Sequence, residues 1–135
     1  MAMQSNVDLA RKLLNHMSTR DDPEAIARLF SENVSLEIPG DEGALPWIGR
    51  AFGHQAIARW MDDLGALLEP QAFDVEDILA SESRAAAIGS LQARIKATGK
   101  MTTTPFVLIL TVTDGLISRL QMLEDSFDVS KAARL

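Results

Sequence analysis

The chain contains no cysteine among its 135 residues. Disulfide bonds and thiolate catalysis are therefore excluded, and the composition is compatible with a reducing cytoplasm. No apolar run is long enough to cross a bilayer, and the first eight residues lack the basic and apolar regions of a signal peptide. We predict a cytoplasmic protein that has no membrane partner.

Basic residues are scarce and dispersed, with 13 Lys and Arg against 19 Asp and Glu and a formal net charge of -6. Because binding to phosphate needs clustered positive charge, we expect no nucleic-acid partner. The two histidines, His16 and His54, have no i, i+4 partner or nearby carboxylate motif, so we predict no metal site. The sequence also lacks a glycine-rich phosphate loop, and we predict no cofactor.

What the chain does contain is enough apolar sequence for one globular core, since 47% of its residues are hydrophobic. We predict a single domain over residues 1–135, with its core at about 6–126. Residues 127–135 are predicted to form a C-terminal tail, either loose or a short helix.

Hydrophobic periodicity predicts three helices in the N-terminal half, over about 6–17, 22–31 and 54–68. Thr19, Arg20 and Asp21 are predicted to separate the first two. Alternating patterns predict strands at 34–38, 71–79, 84–97, 101–112 and 116–125, with irregular chain over 39–53. Helices on one face of an antiparallel sheet define the α+β class.

The central stretch, residues 101–128, is predicted to form two long antiparallel strands joined by a tight turn at Thr113-Asp114-Gly115. The return strand becomes acidic at Glu124 and Asp125. Neighbouring residues of a strand point to opposite faces, so only one of these carboxylates faces any given space. We expect one of them in a functional site.

Four short segments carry a resemblance to a known family: Ala27-Arg28-Leu29-Phe30-Ser31-Glu32-Asn33-Val34, Pro46-Trp47-Ile48-Gly49, Gly53-His54-Gln55-Ala56-Ile57 and Leu123-Glu124-Asp125-Ser126. In this order they resemble the SnoaL-like polyketide cyclase branch of the nuclear-transport-factor-2-like, or ketosteroid isomerase-like, superfamily, over about residues 7–126. The resemblance implies a cone-shaped, curved mixed or antiparallel sheet whose concave face is covered by the three helices. The superfamily includes cyclases, isomerases, dehydratases, epoxide hydrolases and non-catalytic binding or assembly domains, so the fold does not decide the function.

Comparison with ketosteroid isomerases places aliphatic residues, Leu14, Ile38 and Val107, where those enzymes carry polar catalytic groups. An enolate needs a base to form it and donors to stabilise it. Isomerisation by that particular machinery is therefore not expected.

The same resemblance implies a mostly apolar pocket that contains one carboxylate. The predicted pocket-lining residues are Leu14, Leu36, Ile38, Trp47, Trp60, Leu64, Val107, Ile109, Leu120 and Met122. In SnoaL-like cyclases an aspartate on the last strand is thought to act as acid or base, and Asp125 or Glu124 takes that place here. A carboxyl group in an apolar pocket is suited to proton transfer near neutral pH.

Each candidate also has a structural alternative. Glu124 would be solvated at the rim or paired with an arginine, and Asp125 would cap the following turn. His54 would polarise a carbonyl group as a neutral imidazole at the start of the third helix, or would simply begin that helix.

The predicted ligand is a small hydrophobic molecule, and the predicted reaction is a cofactor-free proton transfer in a cyclisation or isomerisation. The alternative is a non-catalytic ligand-binding or assembly domain. A homodimer is also predicted, through an outer sheet face formed by Phe106, Leu108, Leu110 and Val112, because such a face is costly to expose in a monomer.

Overall fold

The computed structural model describes residues 2–19 and 22–135, so Arg20 and Asp21, at the predicted break between the first two helices, lie outside the described residues. The described elements are α1 (Ala2–Ser18), α2 (Pro23–Ala27), β1 (Phe30–Ile38), β2 (Gly49–Phe52), α3 (His54–Leu67), β3 (Leu68–Ala80), β4 (Arg84–Ile95), β5 (Met101–Thr113), β6 (Leu116–Glu124) and α4 (Ser126–Ala133). This order of helices and strands confirms the predicted α+β class.

All six strands form one sheet in the order β2-β1-β6-β5-β4-β3. Strands β1 and β6 are parallel, and every other neighbouring pair is antiparallel. The sheet is therefore mixed. Helices α1, α2 and α3 pack on its inner face, where they cover the main hydrophobic core.

The helices begin and pack for local reasons that the sequence contains. Asp22 caps α2 by accepting a hydrogen bond from the backbone N–H of Glu24 at 3.2 Å, and Pro23 occupies the first turn. Helix α1 buries Leu13 and Leu14 on one stripe. The buried Asn6 amide near the start of α1 donates to the carbonyls of residues 81 and 82 at 3.0 and 3.1 Å, so it holds α1 against the β3–β4 turn.

Several boundaries differ from the sequence prediction; α1 begins at Ala2 rather than near Asn6, and β3 begins at Leu68 rather than Gln71. Helix α2 ends at Ala27, and β1 begins at Phe30 rather than near Val34. The segment predicted as irregular contains a short strand, β2, whose residue Ala51 pairs with Leu36 of β1. Four residues at a sheet edge carry too little alternation to be recognised as a strand.

The predicted faces of β5 were wrong. Phe106, Leu108 and Leu110 were predicted to lie on the outer face, but they are at most 2% exposed and belong to the core under the helices. They pair with Glu124, Met122 and Leu120 of β6 respectively, and partners opposite one another share a face. Val112, half-buried, lies on the same side by alternation.

Val107 and Ile109 were predicted to line the pocket and instead lie on the outer face of the sheet, opposite Leu123 and Gln121. Every residue from 106 to 112 is apolar or threonine, so alternation alone does not distinguish the two faces of this strand. The pairing with β6 settles the orientation.

Candidate functional site

A pocket of about 490 Å³ lies between the three N-terminal helices and strands β3 and β4. We call it the open pocket, because lining residues such as Asp62, Pro70 and Phe73 are exposed to solvent. It is lined by Leu14, Met17, Ser18, Pro23, Ile26, Met61, Asp62, Leu64, Gly65, Leu68, Pro70, Ala72, Phe73, Leu91, Gln92 and Ala93. Asp62 is the one charged residue of this set, so the wall is suited to an apolar molecule.

A second, much smaller cavity of about 10 Å³ lies near the end of β6. This volume is about that of a single water molecule. It is lined by Ile38, Pro39, Gly40, Trp47, Ile48, Glu124, Ser126 and Val129. We call this group the closed end for its small volume; the loop 39–48 and helix α4 contribute most of its wall, and Pro39, Gly40 and Ser126 are exposed to solvent.

Polar contacts fasten α4 over the closed end. Asp41 of the loop accepts hydrogen bonds from the Ser130 hydroxyl at 2.6 Å and from Arg134 Nε at 2.7 Å. The Arg134 contact, with that of Ser130, lowers the pKa of Asp41 to about 2. At the other side of the helix, the buried Thr102 hydroxyl donates to Asp128 at 2.7 Å. Beneath these contacts Leu45, Ile95, Val129 and Ala132 form a separate small core.

Glu124 lies on the inner face of β6, in register with Phe106, and is half-buried where it lines the closed end. This burial raises the pKa of Glu124 to about 7. Its cavity neighbours are apolar or uncharged, so no cation offsets the cost of the charged form. A carboxyl group with such a pKa both accepts and donates a proton at neutral pH, as general acid–base catalysis requires.

The other two catalytic candidates occupy structural positions. Asp125 is exposed and caps α4 by accepting from the backbone N–H of Asp128 at 3.1 Å, which is the capping alternative. His54 begins α3, and its Nε2 donates to the carbonyl of Phe30 at 2.8 Å. Neither residue lines either cavity.

The residues predicted to line one pocket lie in several different places in the structure. Leu14 and Leu64 line the open pocket, whereas Ile38 and Trp47 line the closed end with Glu124. The remaining predicted residues of the inner face, Leu36, Trp60, Leu120 and Met122, are buried in the main core and line neither cavity. Thus the carboxyl group and the larger pocket are not neighbours.

Several lining residues were not predicted, among them Met17, Met61, Phe73 and Leu91. Leu91 lies in the alternating run of β4, so strand periodicity gave a signal for it. Phe73 had no comparable signal, because β3 contains two register shifts that interrupt its alternation.

Trp60 carries an unusual polar atom within the main core. Trp60 is only 3% exposed, and its indole N–H has no acceptor among the described residues. Buried donors are nearly always paired, so an unpaired indole N–H in the core is exceptional.

Two structural features are absent from residues 2–19 and 22–135. Within them, no group of three His, Asp or Glu side chains comes together as a metal site. In the same part of the chain, no helix has the length and apolar character needed to span a membrane.

These features define a class: an α+β protein whose helices cover the inner face of one mixed sheet and leave an apolar pocket beside it. The sequence profile of the SnoaL-like domain matches residues 10–120. The chain belongs to the SnoaL-like domain family. No curated protein matches this chain.

Solved structures agree with the fold. An NTF2-like protein from Burkholderia xenovorans LB400 has a TM-score of 0.88 at 20% identity and covers 98% of both chains. A candidate polyketide cyclase from Xanthomonas campestris pv. campestris has a TM-score of 0.80 at 17% identity, covering 99% of this chain and all of that one. TerC, co-crystallised with polyporic acid, has a TM-score of 0.76 at 19% identity and covers 96% and 98%. At these identities the similarity establishes the fold alone.

Proposed function

We propose that this SnoaL-like domain binds a small apolar molecule in the open pocket and transfers a proton to and from it through Glu124. The pocket carries the binding part of the proposal, since its roughly 490 Å³ lie within the range typical of small-molecule sites and its wall is mostly apolar. A protein of the same fold, TerC, was co-crystallised with polyporic acid, which supports the use of this fold for small molecules.

The chemical part of the proposal depends on Glu124. As a carboxylate it removes a proton from a carbon beside a carbonyl group, so that the C–H bond breaks and its electron pair moves to the carbonyl oxygen. In an isomerisation the proton returns from Glu124 to another carbon. In an aldol cyclisation the enolate carbon bonds to a second carbonyl carbon, and the resulting alkoxide takes the proton.

A deuterium-exchange experiment tests this function without knowledge of the natural substrate. The protein is mixed in D₂O with 2-tetralone, a neutral apolar ketone, and proton NMR follows the loss of its α-protons. We expect the native protein to accelerate the exchange and Glu124→Gln to abolish the acceleration while binding is unchanged. Equal exchange in both proteins would contradict the catalytic role.

The second candidate function is a non-catalytic binding domain. The observation that favours it is the separation of Glu124 from the open pocket, since the two cavities share no lining residue. It predicts that 2-tetralone binds, that its exchange is no faster than in buffer, and that Glu124→Gln changes neither.

We further propose that the protein forms a homodimer through the outer face of the sheet. The apolar residues of this face are half-buried Ile88, Val107 and Ile109, with exposed Leu123 beside them. Next to them Glu37 contacts Arg119 at 2.8 Å and Arg50 at 3.6 Å. A second copy related by a two-fold axis offers the same apolar stripe and both charge signs, so it complements this face.

Light scattering after size-exclusion chromatography tests the dimer. Ile109→Lys, in the middle of the face, should convert a dimer to a monomer because an unpaired ammonium would be buried. Phe127→Lys is the matched control, since Phe127 is 71% exposed on α4 and lies outside the face. A native protein that runs as a monomer would contradict the proposal.

A further inference from the structure

A stacked pair of aromatic rings connects the wall of the open pocket to the strand partner of Glu124. Phe73 of β3 lines the open pocket and is 43% exposed. Its ring stacks on that of Phe106, with centroids 4.8 Å apart and planes inclined by 23°. Phe106 is buried and pairs across the sheet with Glu124. Directly opposed residues of antiparallel strands hold their Cβ atoms about 5 Å apart, so Phe106 adjoins Glu124.

The strand between these rings has no side chain at the crossing point. Gly89 of β4 pairs with Phe106, and a Cβ placed on Gly89 would lie 3.0 Å from Phe106 Cζ and 2.0 Å from the carbonyl oxygen of Asp74. No real Cβ tolerates the second distance, so this position requires glycine. The rings therefore approach each other over bare backbone, and no third side chain at this position separates them.

The two rings differ in how firmly they are held. Phe106 is only 2% exposed and belongs to the main core. Phe73 lies on an edge strand whose pairing with β4 shifts between Pro70 and Ala72 and again between Val75 and Asp77. Shifts of this kind interrupt the hydrogen-bond ladder. A ligand in the open pocket thus contacts the less constrained ring first.

We propose that Phe73 and Phe106 form a gate between the open pocket and Glu124, which an apolar ligand must displace before its reacting carbon reaches the carboxyl group. The inference rests on the proposed function for its ligand, but the barrier itself exists in the ligand-free protein. Phe106 then determines specificity, because a ligand too small or too polar to displace the rings binds without meeting Glu124.

Carboxyl labelling of the ligand-free protein tests the gate. A carbodiimide activates an accessible carboxyl group as an O-acylurea, glycinamide displaces the urea, and the stable amide is located by mass spectrometry. Fragment spectra must separate Glu124 from the adjacent Asp125, which is exposed and serves as an internal reference. In the native protein we expect Glu124 to label far more slowly than Asp125.

Phe106→Ala should accelerate labelling of Glu124 by about ten-fold or more, because it removes the ring beside the carboxyl group. Leu108→Ala is the matched control: Leu108 is equally buried on the same face of β5 but pairs with Met122. A folded Phe106→Ala protein that labels at the native rate, or a Leu108→Ala protein that labels as fast, would overturn the gate.

If Phe106→Ala does not fold, the labelling rate of Glu124 is measured in Phe106→Leu and Phe73→Ala instead. Faster labelling of Glu124 in either variant supports the gate, and the native rate in both overturns it. The gate and the proposed function fail in different ways. If 2-tetralone does not bind, the proposed function is refuted but the labelling result is unaffected. If the Phe106 and Phe73 variants label Glu124 at the native rate, the gate is refuted even though 2-tetralone binds.

Discussion

The two cavities of this protein differ in what surrounds them. The open pocket is bounded by helix faces and by the irregular edge strand β3, and its wall includes exposed residues such as Asp62 and Phe73. The closed end is covered by α4 and fixed by hydrogen bonds from Ser130 and Arg134 to Asp41. The open pocket has room for a ligand but no buried carboxyl group in its wall. Glu124, by contrast, lines a cavity of only about 10 Å³, so binding and proton transfer depend on different parts of the molecule.

Filling the open pocket with a larger side chain should produce the largest effect, a loss of ligand affinity. Leu64→Trp places a bulky ring in the wall, and we expect the affinity for the neutral fluorescent probe N-phenyl-1-naphthylamine to fall by about ten-fold or more. Ala66→Trp is the control, because Ala66 is exposed on the same helix and does not line the pocket. Fluorescence titration measures both, and equal affinities would place the probe elsewhere.

Removing the charge of Glu124 should alter stability in a pH-dependent way. Its folded-state pKa is raised to about 7 from an ordinary value of 4.5, so below pH 4.5 the carboxyl group is neutral in both states and does not lower stability. As pH rises from 4.5 to 7 the unfolded chain ionises first and stability falls. Above pH 7 the cost reaches about 3 kcal/mol at 1.36 kcal/mol per pKa unit.

Glu124→Gln should therefore stabilise the protein at pH 8 and leave it nearly unchanged at pH 4. Urea unfolding at both pH values measures the difference. Replacement of the exposed Glu69 by Gln is the control and should change stability little at either pH. Equal stability of native protein and Glu124→Gln at pH 8 would show that Glu124 is well solvated.

Removing the surface ion pair that holds α4 over the closed end should have the smallest effect, a slight loss of thermal stability. Asp41→Asn removes the ion pair with Arg134, whose guanidinium is largely exposed. Because the folded-state pKa of Asp41 is lowered to about 2, its contribution is present near neutral pH and is lost as pH falls through about 2. We expect a slight decrease in melting temperature at pH 7 that disappears in strong acid.

The same variant also tests whether the two cavities are independent. Asp41→Asn should increase amide hydrogen exchange in α4 while the affinity for N-phenyl-1-naphthylamine stays the same, because Asp41 does not line the open pocket. Glu42→Gln, a neighbouring exposed residue, is the control. A change in probe affinity would show that the closed end and the open pocket are coupled.

Much of the fold was predictable because its signals are local. The stripe containing Leu13 and Leu14, the Asp22 cap and the turn at Asp114-Gly115 depend on residues close in sequence. The family resemblance added a curved sheet, mixed or antiparallel, and the parallel pair β1–β6 shows that the sheet is mixed. Of the two carboxylates that the sequence offered, Glu124 lies on the inner face in register with Phe106, and Asp125 caps α4.

The sequence by itself determined the fold class and the three N-terminal helices, and it named Glu124 and Asp125 as alternative site carboxylates. Only the tertiary structure decided which face of β5 is buried and that Glu124 is separated from the open pocket. Alternation divides a strand into two sets, but an apolar strand leaves both sets equally eligible for burial. The pairing of Phe106 with Glu124 across the hairpin, and the stacking of Phe73 on Phe106, resolve that choice through contacts between residues distant in sequence.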